Sequence, residues 1–108
     1  MTRITLYKDF NGTIKGFKID GHAGYADKGE DIVCAAISIL AVNTQNSIES
    51  FCEDAFKQKS EEKSALMEFM IEGDPSHDAE LLLKSFESGI IGISREYPDF
   101  VNHEYKEV

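Results

Sequence analysis

Apolar and polar positions alternate from the start of the chain: Ile4 and Leu6 stand two apart, with Phe10 extending the pattern, and Ile14, Phe17 and Ile19 follow an Asn11-Gly12 turn signal. Two short runs joined by such a dipeptide predict a β-hairpin, its second strand running from Ile14 to Gly21. From Ile32 to about Phe51 the period changes to that of a helix, with Val33, Ala36, Ile37, Leu40, Ile48 and Phe51 as the apolar set and Asn43, Thr44, Gln45 and Asn46 interrupting its middle. Asp31 precedes this run and is expected to be its N-cap. Leu66, Phe69 and Ile71 predict a strand ending at Gly73, and a shorter strand is expected around Ala55 to Gln58. Asp74-Pro75-Ser76 opens a second helix, in which Ala79, Leu82, Leu83, Phe86, Ile90, Ile93 and Tyr97 form one stripe that Pro98 ends. Gly89 and Gly92 lower helix propensity there and mark expected points of close approach. Phe100 to Tyr105 alternates as a final strand.

The order β-β-α-β(-β)-α-β predicts an α+β fold, a mostly antiparallel sheet of four to five strands with two helices packed on it. Alternating strands need one covered face, and the two amphipathic helices are the available cover. Residues 1–108 have room for a single domain, and a hydrophobic content of 42% argues against disorder. An edge strand left open would let an extended peptide align by backbone hydrogen bonding.

Charge narrows the partners. With 11 basic and 20 acidic residues the formal net charge is −9, so a phosphate backbone is repelled and direct nucleic-acid binding is not expected. A basic protein partner would be attracted, although an acidic surface equally serves solubility. No stretch shows the roughly eighteen consecutive apolar residues of a membrane span, and the N-terminus lacks a charged segment followed by a hydrophobic block, so a cytoplasmic protein is expected. Cys34 and Cys52 stand eighteen positions apart on one expected helix. That is about 27 Å, well beyond the limit of about 7 Å between disulfide-bonded α-carbons. Cys52 reads as a space-filler beside Phe51.

Cys34 carries the candidate chemistry. A cysteine nucleophile needs a base, a field favouring the thiolate, and access. His22 lies twelve residues earlier, where the second strand ends, and the segment between them holds Gly24 and Gly29. If the helix starts at Ile32, Cys34 occupies its third position, where backbone N–H groups lack partners and the helix dipole favours negative charge. Those N–H groups would also suit an oxyanion. Ser38 shares a helix face with Cys34. The same residues admit a packing role, since free cysteine is commonly buried and a helix serine commonly bonds back to a carbonyl.

Gly21-His22-Ala23, then Gly29, Asp31, Ile32, Val33, Cys34, Ala35 and Ser38, resemble the signature of the ribosomal-processing cysteine protease family, Prp. Two strands before this segment, a long helix after it with Asn46 in its second half, and Glu96-Tyr97-Pro98 at the end of the second helix extend the likeness over nearly the whole chain. Ala26 departs from the glycine common at that position. The resemblance implies Cys34 as nucleophile and His22 as general base, with Gly21, Asp31 and Ser38 as supporting positions. It further implies an endopeptidase that removes the N-terminal extension of bacterial large-subunit ribosomal protein L twenty-seven after an aromatic motif, without cofactor or metal. It also adds weight to a homodimer, for which Ile90, Ile91 and Ile93 are spare apolar positions.

Asp20 and Asp31 are both candidates to orient the imidazole on proximity in sequence alone, and the resemblance implies that a dyad suffices. The loop from Ala23 to Asp31 is expected to act as a lid that orders on peptide. Two rival classes stay open. One is a non-enzymatic ribosome-associated adaptor whose acidic face binds a basic ribosomal protein. The other is a metal protein using His22, Cys34 and either His77 or His103, although no Cys-x-x-Cys or His-x3-His spacing is present.

Overall fold

Asp9 shapes the first turn: its Oδ1 accepts the backbone N–H groups of Asn11 (2.8 Å) and Thr13 (3.0 Å), while Gly12 supplies a φ of 84°. This Asx arrangement closes the hairpin between β1 (Thr2–Lys8) and β2 (Ile14–Asp20). Phe10 lies in the turn and is exposed, so it does not extend the first strand. The computed structural model describes residues 1–21, 28–61 and 66–108, with the backbone alone for 28–31.

Among the described residues the chain continues through α1 (Lys28–Phe51), β3 (Phe56–Glu61), β4 (Leu66–Ile71), α2 (His77–Glu96) and β5 (Val101–Glu107). The strands form one sheet in the order β3-β4-β2-β1-β5. Neighbours are antiparallel except β5, which returns over α2 to lie parallel to β1. The expected α+β architecture with two helices is thus the observed one, with a parallel edge that the alternation pattern did not indicate.

Sheet register places the core. Ile4 pairs with Ile19, and Leu6 with Phe17, which in turn faces Phe69 of β4. These side chains point to one face by strand alternation. They meet Val33, Ile37, Ala41 and Ile48 of α1 and Ala79, Leu83, Phe86 and Ile90 of α2 in a single cluster. Phe17 stacks on Phe86 at 4.3 Å between ring centroids and on Phe69 at 5.6 Å. Such ring pairs add about 0.5–1.5 kcal/mol beyond their buried area. On the opposite face Tyr7 donates a 2.7 Å hydrogen bond to Glu68. Residues Ile32–Phe51 do have the length and mean hydropathy (1.2) of a membrane span, contrary to the sequence-based expectation. In the fold, the buried positions of that same run form the helix's contribution to the core.

Three further expectations change. Helix α1 begins at Lys28 and not at Ile32, so Asp31 lies inside its first turn and is not its cap. Gly89 does meet a neighbour, since a Cβ there would lie 2.6 Å from Cδ2 of Leu40, but nothing lies within 4 Å of such an atom at Gly92. Helix α2 opens after Asp74-Pro75-Ser76 as expected, and its cap is Ser76, whose Oγ accepts the N–H of Ala79 (3.2 Å).

Candidate active site

Cys34 sits in the second turn of α1, half-buried, with its Sγ 3.0 Å from Oγ1 of Thr2. Thr2 is the first residue of β1 and is 1% exposed. Its backbone N–H donates to the carbonyl of Phe100 (2.9 Å), and it faces Val101 across the parallel pair. The next residue, Arg3, pairs with Asp20 at the end of β2. Cys34 therefore lies over the end of the sheet at which β2 delivers the chain to Gly21 and onward. His22, and with it residues 23–27 of the expected lid, lie outside the described residues. The backbone at 28–31, expected to be the rest of the lid, is the first turn of α1.

The longer helix alters the electrostatics. The backbone N–H of Cys34 falls within the intrahelical ladder, so it is not one of the unpartnered groups at the N-terminus. The expected oxyanion site at that N–H is therefore withdrawn, and the dipole's field at the sulfur is weaker because it decays within the first turn.

Ser38, one turn beyond Cys34, is exposed. With Ile39, Val42, Asn43 and Asn46 it lines a groove of about 370 Å³. A second groove of about 490 Å³ runs alongside between the helices, sharing Ile39 and Asn43 and reaching Gly89 and Ile93. Ile39 is 71% exposed, and Ile32 and Val42 are also open to solvent. The apolar set read from the sequence left Ile32, Ile39 and Val42 out, and this outer apolar face of α1 was missed with them. Thr2 was missed as well, although a polar residue at the head of the row Thr2, Ile4, Leu6 is the signal that would have found it.

Cys52 differs from Cys34. It packs against the core, and burial, then the charges of Asp54 and Asp78, push its thiol up despite a hydrogen bond with Ser76. A thiol raised in this way is less available as the thiolate. His77 is exposed beside Asp78, and His103 Nδ1 lies 3.0 Å from the hydroxyl of Ser94. Among the described residues no three His, Cys, Asp or Glu side chains gather as a metal-binding group.

The family model of the cysteine protease Prp matches residues 1–102. The chain belongs to the cysteine protease Prp family. It is a cysteine-type protease, and its fold is that of the family. The ribosomal processing protease Prp from S. aureus, in complex with a substrate peptide, superposes with a TM-score of 0.92 at 21% identity, covering 98% of this chain and 100% of that one. The same protease with a covalently linked product peptide gives 0.87 at 22% identity, with 98% and 100% covered. SMU.848 from Streptococcus mutans gives 0.89 at 26% identity over 100% of this chain and 99% of that one. No curated protein matches the sequence.

Proposed function

We propose that this Prp-family protease is a cytoplasmic endopeptidase that removes the N-terminal extension of ribosomal protein L twenty-seven, with Cys34 as nucleophile and His22 as general base. The observation that carries the reading is the location of Cys34. Its half-buried sulfur stands on a helix over the sheet end where Asp20 closes β2, two residues before His22. The S. aureus relative with a covalently linked product peptide supports covalent catalysis in a fold of this shape.

In the reaction, the imidazole takes the Cys34 thiol proton and the thiolate attacks the scissile carbonyl carbon. The C–N bond breaks, and the departing amine takes the proton back from the imidazolium. The resulting thioester is hydrolysed by water, which frees the carboxylate product and restores the thiol. The two grooves that share Ile39, beginning at Ser38 one turn beyond Cys34, give an extended peptide an apolar surface along α1. A net charge of −9 favours a basic substrate protein. For a homodimer, Ile90 is fully buried in the core and unavailable, which leaves the half-buried Ile91 and Ile93.

Incubation of wild-type and Cys34→Ala protein with the extended substrate, followed by mass measurement of the products, tests reaction, nucleophile and cleavage position together. Cleavage by the alanine variant would overturn the assignment. An adaptor would instead keep its binding and its role in the cell without Cys34.

A further inference from the structure

We propose that Thr2 is a positioning residue for the protease reaction, its hydroxyl holding the Cys34 sulfur in place and donating a hydrogen bond to it once the thiol is ionised. This rests on the reading of Cys34 as nucleophile. The first ground is the position of Thr2 in the strand. Thr2, Ile4 and Leu6 form the row of β1 that faces the helices, and all three are at most 1% exposed. A hydroxyl in such a row costs about 1–3 kcal/mol unless it is bonded. Among the described residues its hydrogen-bond partner is Cys34 Sγ, 32 positions away in sequence and 3.0 Å away in space.

The second ground is rigidity. The backbone of Thr2 is fixed by its N–H bond to Phe100 and its pairing with Val101, and a β-branched side chain has restricted χ1 freedom. The hydroxyl is therefore held before the sulfur ionises, as a preorganised donor should be. In the neutral state either atom can donate. A thiolate has no proton to give, so the bond must then run from Thr2 to the sulfur. Hydrogen bonds to ionised acceptors are stronger than those between neutral groups. The contact thus stabilises the reactive form more than the resting one, and it directs the sulfur from a fixed point on the sheet.

Wild-type, Thr2→Val, Thr2→Ala and Thr2→Ser proteins are compared in two assays: the rate of iodoacetamide alkylation at Cys34, resolved from Cys52 by peptide mass, and kcat and KM on an extended peptide substrate. Removing the hydroxyl is expected to slow alkylation and lower kcat about tenfold each, with KM little changed. Thr2→Ser, which keeps the hydroxyl, is expected to stay close to wild type in both. Wild-type alkylation rates in both hydroxyl-free variants would overturn the proposal, as would a serine variant as impaired as valine. Should valine not fold, the alanine and serine variants still decide. Alkylation needs no cleavage, so the two readings fail separately: a protein fully alkylated at Cys34 that still cleaves would sink the assignment of Cys34 as nucleophile and leave the Thr2 contact to be judged on the alkylation rates.

Discussion

Gly16 of β2 and Phe69 of β4 approach so closely across the sheet that a Cβ on the glycine would lie 2.1 Å from the Phe69 carbonyl oxygen. The obstructing atom is backbone in a paired strand and cannot swing aside as a side chain would. Gly16→Ala is therefore expected to disrupt the pairing of β2 with β4, at a cost near or above the top of the about 1–3 kcal/mol range for overpacking. Gly92→Ala is the matching control, because nothing lies within 4 Å of its would-be Cβ. That change should raise stability by about 0.5–1 kcal/mol through helix propensity. Urea denaturation of the two variants checks both signs, and equal effects would contradict the geometry.

The contrast between these glycines shows what sequence patterning can carry. Helix propensity flags Gly89 and Gly92 alike, yet only the partner helix decides that Leu40 faces one of them. The helix faces and strand alternation were legible because burial repeats with the local period, which is why Val33, Ile37, Leu83 and Phe86 all lie in the core. Pairing between distant strands leaves no such local trace, so the parallel edge formed by β5 was not legible. The start of α1 was misread for a local reason: Asp31 suits both an N-cap and an acidic first turn, and Lys28–Glu30 can join the helix. Cys34 was legible as a candidate from its neighbours, whereas its partner Thr2 comes from a strand end 32 residues away.

The junction between α1 and α2 should be sensitive to acid. Asp54 Oδ1 accepts the Ser76 hydroxyl (2.6 Å) and Oδ2 accepts the Ser76 N–H (2.7 Å). Burial alone would raise the Asp54 carboxyl, but these bonds outweigh it and hold it below its ordinary value. Because the folded value is lower than the unfolded one, this stabilisation is present above about pH 4 and is lost as pH falls through the folded value. Ser76→Ala removes the cap and one of these bonds, and should cost about 1 kcal/mol at neutral pH. Thermal melts should show the difference from wild type shrinking in acid, and a constant difference would contradict the linkage.

Alkaline pH acts through the tyrosines with the opposite sign. Burial, then the hydrogen bond to Glu87 and its charge, push the Tyr105 hydroxyl up to about 12. Burial and Glu68 raise Tyr7 in the same way. A folded value above the unfolded one means that stabilisation is complete below about pH 10 and declines as pH rises through the folded value. Tyr105→Phe should therefore flatten the alkaline fall in melting temperature. Titrating phenolate absorbance in the native protein should find two late-ionising groups, and ordinary ionisation of all tyrosines would rule out these two hydrogen bonds.

Replacing the proposed nucleophile separates chemistry from architecture. Cys34→Ser keeps a group able to hydrogen-bond with Thr2, and the half-buried Cys34 is not one of the side chains that make up the core cluster. Melting temperature and peptide affinity should stay near wild type. Cleavage should fall on the order of a thousandfold or more, because a serine hydroxyl at this site lacks the acidity and polarisability of a thiol. Cys52→Ser is the counterpart: its thiol is pushed up by burial and by the acidic charges around it, so activity should persist while packing loosens slightly. Peptide cleavage and calorimetric binding, measured on both variants, distinguish the two sulfurs. Retained cleavage in Cys34→Ser, or lost cleavage in Cys52→Ser with the fold intact, would move the reaction to a different sulfur or to none.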